Sequence, residues 1–447
     1  MNPSDKIRRY SADKLAFLGL LVLTVLIARL ITTSRSKLLF SEPIILNESG
    51  LSISIPVGNG WKSEKKWNYY ENAFSLSSDF LPTAGLSLAR AECRLLLAAA
   101  KTDPQTSFNQ RASALEGVIV QTDRKFTDAF ALDWAHITDR RTRSDIFVGM
   151  ASLPYNRRLD IEVRQAIDEV DLARRIFERI ATGIRFEENQ LLKKGSQIVE
   201  QIKNAGIGSS LHNRRQEGYY LVKMPEKGAI GFLVEEIADS PESELNITAK
   251  ALLHLRDRAV SEQTTFLQSN DSFDEFVWEG QGSSFFGRTR IQLRRTGDGA
   301  LTVVKVGPRP GQNEYLPGTA AIPADFFELF LNQMLRSGHN ELVVDLLMVS
   351  RPDGEIVPAL VRMMDAPEIN EKKARYQFRV ELLDERGFFD HVYLDDSKRI
   401  YKRILVKADE TYIVERSSLK EVTELFPERL DVILQKKSML RRNQLKF

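Results

Sequence analysis

The sequence predicts an α+β protein: an N-terminal transmembrane helix, then an α/β sandwich domain and a larger curved antiparallel β-sheet domain covered by helices. Three observations predict it. Leu15–Ile31 is an apolar stretch near the start, Leu159–Phe186 reads as a one-sided strand followed by an amphipathic helix, and from Gly218 onward alternating runs are joined by short Gly-, Asp- and Pro-containing turns.

Composition sets the frame. A chain of 447 residues exceeds one ordinary core, so two or three domains are expected. The hydrophobic share of 43% and charged share of 28% suit a globular chain and not a disordered one. Lys and Arg number 63 against 61 Asp and Glu, so no general charge attraction argues for nucleic acid as a partner. Cys93 is the only cysteine, which excludes an intrachain disulfide and a thiolate cluster for zinc or iron–sulfur.

Leu15–Ala28 runs fourteen residues without a charge, and Leu30 and Ile31 extend it past Arg29. A spanning helix needs roughly 20 apolar residues, with about 17 as the lower limit, which the stretch reaches if Arg29 snorkels to the interface. The expected anchor residues are Leu15, Leu18, Leu21, Val25 and Arg29, with a basic tail over 1–14. Lys6, Arg8, Arg9 and Lys14 precede the stretch; Arg29, Arg35 and Lys37 follow it, a weak lean toward a cytoplasmic N-terminus. A cleaved signal peptide is the competing reading, for which Ile27-Ala28-Arg29-Leu30-Ile31 is a poor cleavage site. The expectation is therefore a single-pass protein of a bacterial inner membrane, its lipid bilayer a partner, with the later domains outside the cytoplasm.

A first domain is expected over 41–188. Leu51, Ile53 and Ile55 alternate with serines as in a half-buried strand, and Gly58-Asn59-Gly60-Trp61 supplies a turn. Leu159, Ile161 and Val163 alternate with Arg158, Asp160, Glu162 and Arg164. A helix follows, with Asp168 suited to its N-cap, Gly183 to a left-handed end, and Leu172, Ala173, Ile176, Phe177 and Ile180 on one stripe. Arg174, Arg175, Glu178 and Arg179 are left toward water.

Residues 189–217 read as a short helix and a linker rich in small and polar residues. A second domain is expected over 218–435, before a basic tail at 436–447. Thr296-Gly297-Asp298-Gly299, Arg351-Pro352-Asp353-Gly354, Asp384-Glu385-Arg386-Gly387 and Ala408-Asp409-Glu410 each separate two strand-like runs. Connections this short forbid parallel pairing and predict a meander. One helix is expected from Pro323 to Gly338, with Phe326, Phe327, Phe330, Leu331, Met334 and Leu335 on its buried side, and the sheet is expected to curl around it. Another is expected from Ser418, with Glu421 at capping-box spacing and a break at Pro427.

With its opening Leu51-Ser52-Ile53-Ser54-Ile55-Pro56, Trp61 shortly after, and the closing Ile180-Ala181-Thr182-Gly183-Ile184-Arg185-Phe186, the first domain resembles the PsbP-like α/β sandwich. The second is similar to the lipoprotein-carrier (LolA-like) class, most closely in Val392-Tyr393-Leu394-Asp395-Asp396-Ser397-Lys398-Arg399-Ile400. Those resemblances imply non-enzymatic work outside the cytoplasm: docking onto a larger assembly for the first domain, and an apolar or acyl ligand for the second.

Candidate chemistry is sparse. No two of His136, His212, His254, His339 and His391 lie within helical or hairpin reach. Asp133 and His136 would meet on a helix, but Phe130, Leu132, Trp134 and His136 alternate as on a strand, which sends Asp133 to the other face. Gly280-Gln281-Gly282 with Gly287 has the wrong spacing for a phosphate loop and runs into a strand. Glu235/Glu236 and Asp395/Asp396 are adjacent, which separates the two carboxyls of each pair on a strand. Lys436, Lys437, Arg441, Arg442 and Lys446 form a basic tail able to touch anionic headgroups, or simply a solvated terminus. No catalytic, cofactor-binding or metal-binding residue is assigned, and no cofactor is expected. The expected function is a membrane-tethered binding or assembly protein with a lipid or protein partner, or else a structural docking subunit of an envelope complex.

Overall fold

Alternating apolar and polar residues dominate this chain, and the computed structural model turns them into antiparallel sheets. It describes residues 38–433 apart from short stretches, the longest being 81–88, 207–214 and 365–373. Four short strands come first: β1 (Leu39–Phe40), β2 (Ile44–Leu46), β3 (Leu51–Ile53) and β4 (Pro56–Val57). β1 pairs with β4, and β2 pairs with β3.

Seven strands then build one sheet: β5 (Trp61–Asn68), β6 (Ala73–Phe80), β7 (Ala89–Leu96), β8 (Val118–Phe126), β9 (Ala131–Asp139), β10 (Ser144–Leu153) and β11 (Arg157–Ala166). Their spatial order is β5-β6-β7-β11-β10-β9-β8, every pair antiparallel. Two helices cover it. α1 (Pro104–Ala114) is capped by Asp103, whose carboxylate accepts the Thr106 N–H at 2.9 Å, and packs Phe108 and Ala112 on Ala135, Ile137, Ile146 and Val148. α2 (Val170–Gly183) lays Ala173, Ile176, Phe177 and Ile180 on the opposite face, where Leu159, Ile161 and Val163 are buried. Gly183 ends α2 without a left-handed φ, since the chain passes straight into β12 (Arg185–Phe186), which pairs with β3. Asp168 lies outside the described residues.

α3 (Gln190–Ala205) follows, capped by the Asn189 side chain and ended by Gly206 at φ 75°. A second, fifteen-stranded sheet takes the rest. Its first arm is β13 (Arg215–Met224), β14 (Gly228–Asp239), β15 (Ile247–Leu255), β16 (Val260–Ser269), β17 (Phe276–Ser284), β18 (Gly287–Arg295), β19 (Leu301–Val306) and β20 (Gly311–Tyr315). The other arm is β21 (Ala321–Pro323), β22 (Glu341–Met348), β23 (Glu355–Met364), β24 (Tyr376–Leu382), β25 (Phe389–Leu394), β26 (Ile400–Lys407) and β27 (Glu410–Arg416). The two meanders join where β13 pairs with β27, so the sheet runs from β20 back to β13 and then from β27 back to β21. Only β21 and β22 are parallel, as their helical crossover requires.

That crossover is α4 (Phe327–Ser337), entered through a 3-10 turn at Ala324–Phe326, so Pro323 closes a strand instead of opening the helix. Phe326, Phe330, Leu331 and Met334 share a core with Trp278 and Ile291 of one arm and Val361, Phe378 and Val392 of the other. The sheet therefore curls around α4. Outside, α5 (Leu419–Leu425) is capped by Ser418 and sets Val422 and Phe426 against Leu221, Phe232 and Leu252.

The two sheets are packed together. Arg157 at the start of β11 reaches Asp345 of β22 at 2.9 Å with both side chains almost wholly buried, and Asn72 accepts the Ile356 N–H. α3 lies on β22 so closely that a Cβ at Gly195 would sit 1.8 Å from the Val343 carbonyl oxygen.

Two expectations are corrected. The α+β class gives way to a mostly β architecture, because 61–166 also folds as consecutive antiparallel strands and the helices only cover sheets. Among the described residues no helix is long and apolar enough to cross a membrane, which overturns the single-pass, inner-membrane assignment. Its basis, Leu15–Ile31 with Leu15, Leu18, Leu21, Val25 and Arg29, lies outside the described residues, and it reaches the lower limit of about 17 residues for a span only by counting the charged Arg29.

Candidate functional site

Register identifies the inner face of the large sheet. Ile237 and Trp278 pack on the α4 core, so residues two apart along each strand share that face. On β14 these are Glu235 and Leu233. Pairing places Ala251 and Leu253 beside them on β15, Tyr220 opposite Leu233 on β13, and Arg416 opposite Tyr220 on β27. Val414 of β27 then faces Arg403 of β26, while Leu405 lies opposite Asp390 of β25.

Coverage of this face is uneven. Where α4 sits, Val344, Val361, Phe378 and Val392 are completely buried. Beyond the helix, Leu233, Ala251, Leu253, Leu405 and Val414 are only half-buried although each belongs to an interior strand of the sheet. These side chains therefore line an incompletely covered apolar strip, interrupted on β13 by Tyr220 and Val222, which are buried on the same face.

A charged cluster borders the strip. Arg403 Nε donates to Asp390 Oδ2 at 2.8 Å. Asp395 Oδ1 accepts the Arg399 N–H at 3.0 Å, and its Oδ2 lies 3.5 Å from Arg416 Nη1. Glu328, in the first turn of α4, accepts the Ile400 N–H at 2.8 Å and lies 4.0 Å from Arg399 Nε. Arg403 keeps 38% of its side-chain surface and Glu328 24%, so both guanidinium and carboxylate remain reachable from the inner face.

Acids outnumber bases here: Glu235, Asp325, Glu328, Asp390 and Asp395 against Arg399, Arg403 and Arg416. Burial pushes the Glu235 carboxyl up to about 7, and Glu328 and Asp325 add to the rise against the pull of Arg403. Burial likewise raises Asp325 to about 6 and raises Glu328. Tyr220 is held protonated by burial and by Glu235. A phenol, guanidinium groups and carboxyls shifted toward their neutral form thus present hydrogen-bond donors beside an apolar strip.

Of the residues weighed from sequence, few gather here. His136 is buried in β9, stacked on Phe147 at 4.5 Å with Nε2 2.7 Å from Asp145, while Asp133 points the other way and pairs with Arg124. His254 packs on Phe232 and Phe426 outside the large sheet, and His391 stands edge-on to Phe389. Gly280 lies under the Trp278 indole, where a Cβ would approach to 2.0 Å, so its role is packing. Asp395 organises a turn in which Lys398 has φ 60°. His212 and the basic tail at 436–447 lie outside the described residues. Cys93 is fully buried with its thiol pushed up to about 12 by burial, which leaves it inert.

Sequence reading missed Glu235 as a member of this cluster, along with Asp325, Glu328 and Arg403. The signal was an acid between Leu233 and Ile237 on one alternating face, but only register shows that this face is the concave one.

No protein-family model matches this chain, and no curated protein does. Among solved structures, a beta-barrel-like protein of the domain of unknown function DUF1849 from Brucella abortus is 12% identical, with a TM-score of 0.35 over 45% of this chain and 95% of that one. A DUF1329 family protein from Desulfovibrio piger is 10% identical, with a TM-score of 0.16 over 51% of this chain and 92% of that one.

Proposed function

We propose that this protein is a non-enzymatic binding protein whose large sheet holds an acyl-chain ligand on its inner face. One observation carries the reading: Leu233, Ala251, Leu253, Leu405 and Val414 form a half-buried apolar strip on interior strands next to a completely buried core. Leaving such a strip to water forfeits about 25 cal/mol for each Å² that a ligand would cover. The chain of the ligand lies along the strip, and its polar end meets the donors of Tyr220 and Arg403 beside Glu235. A carrier fold of this kind agrees with the likeness to lipoprotein carriers read from Val392–Ile400.

A polyene fatty acid that brightens in apolar surroundings tests it. The full chain is expected to bind the probe saturably and to release it to unlabelled fatty acid. Leu253→Glu and Leu233→Glu are each expected to weaken binding by about tenfold or more, since each buries an unpaired carboxylate beside the chain. Probe that does not brighten, or binding indifferent to both substitutions, overturns the reading.

A further inference from the structure

The seven-stranded sheet carries a second concave feature, remote from the strip. Between α2, the edge strand β8 and its neighbour β9 lies a cleft of about 530 Å³. That size falls within the roughly 300–1,000 Å³ of small-molecule sites. Its floor is aromatic: Trp134, Phe147 and Phe177 have ring centroids within 5.9–6.2 Å of one another. Gly149 opposite Trp134 makes room for the Phe177 ring, which a Cβ there would meet at 3.0 Å. Phe147 and Phe177 are buried, whereas Trp134 remains half-buried and open to the cleft.

The rim is cationic. Arg174, Arg175 and Arg179 project from the exposed side of α2, and Lys125 comes from β8 across the cleft. Among the described residues, none of these four forms an ion pair with a carboxylate. Arg124 is already paired with Asp133, leaving Asp123 and Glu178 as the acids of the lining. Four uncompensated cations over two acids, around a flat apolar floor, give a site with a definite complement. Arginine stacks on aromatic faces and also bonds planar anions in bidentate fashion. Arg174 already sits 5.9 Å above the Phe147 ring.

We infer that this cleft binds a small amphipathic anion, a flat apolar body carrying a carboxylate, sulfonate or phosphate, with the body on Trp134 and the charge between Arg174, Arg179 and Lys125. Charge complementarity and the small volume of the cleft favour a small molecule over a membrane surface or an acidic polypeptide.

The four tryptophans of the chain provide a local readout. Full-length protein labelled with 5-fluorotryptophan gives one fluorine resonance per indole, and Trp134→Phe identifies the one at issue. Naphthalene-2-sulfonate is expected to move the Trp134 resonance saturably, while its uncharged carboxamide analogue and inorganic sulfate alone do not. Because Arg174 and Arg179 are exposed, Arg174→Ala/Arg179→Ala keeps the fold, and it is expected to weaken the response by about tenfold or more. Lys420→Ala, remote and 83% exposed, is expected to change nothing. A static Trp134 resonance, equal affinity for the neutral analogue, indifference to the double substitution, or a response only to phosphatidylglycerol vesicles or polyglutamate overturns the assignment. Ligand on the inner face of the large sheet would leave the Trp134 resonance in place, so the two sites fail or succeed separately.

Discussion

Glu235 lies on the inner face of the large sheet with its carboxyl pushed up to about 7 by burial and by neighbouring acids, and Asp325 follows at about 6. A carboxyl whose folded pKa lies above its unfolded value, near 4.3 for Glu, makes the native state bind the extra proton. Its contribution to stability is complete below the unfolded value and is lost as pH rises through the folded one. The window for Glu235 therefore runs from about 4.3 to about 7, and stability falls across it. Urea midpoints are expected to drop between pH 5 and pH 8 through this group. Glu235→Gln is expected to flatten that drop and to raise stability at pH 8 by about 1–2 kcal/mol, discounted for the water that reaches the side chain. A pH dependence unchanged by the substitution contradicts the placement of Glu235 among the acids of the inner face.

Among the elements, α3 shows most directly how one residue fixes a contact. It touches β22 across Gly195, where any side chain would strike the Val343 carbonyl. Gly195→Ala would raise helix propensity in a free helix, yet here it is expected to destabilise by about 1–3 kcal/mol, because backbone must move to admit the methyl group. Chemical denaturation checks the sign: a stabilised variant would contradict the contact. Ser418→Ala at α5 is expected to lose about 1 kcal/mol, the usual effect of deleting an N-cap acceptor.

These elements also show what the chain discloses before folding. The hairpins around Thr296–Gly299 and Asp395–Lys398, the cap at Ser418 and the stripes of α2 and α4 were all legible, since each rests on local spacing. The seven-stranded sheet was not, because strands such as Trp61–Asn68, with Lys62 to Lys66 exposed on an edge, lack the alternation that marks one dry face. Glu235 escaped for a different reason: its electrostatic influence on distant Tyr220, and that of Arg403 and Glu328 on it, depend on register and on the curl of the sheet around α4. The aromatic cleft combined both, as the exposed arginines of α2 read only as a solvated face.

At the scale of the molecule, the two sheets are joined through a buried ion pair, Arg157–Asp345, with further bonds from Asn156 to the Pro317 carbonyl and from Ile356 to Asn72. Among the described residues, Arg157 Nε and Nη1 and Asp345 Oδ2 have no hydrogen-bond partner, so the pair is incompletely satisfied. Removing one member leaves the other charge buried alone. Arg157→Met is expected to cost about 3–5 kcal/mol, whereas Arg157→Met/Asp345→Leu recovers most of that loss. Loss that the double substitution does not recover would contradict this account of how the sheets are joined.

The same uneven coverage that leaves the inner strip half-buried on interior strands underlies the proposed binding role. Native mass spectrometry of the full chain, purified gently and then exposed to a mixture of fatty acids, tests it most directly. The account predicts a discrete added mass of one acyl-chain molecule, diminished in Leu253→Glu. A protein that stays ligand-free throughout, with its inner face closed by its own side chains, would contradict it.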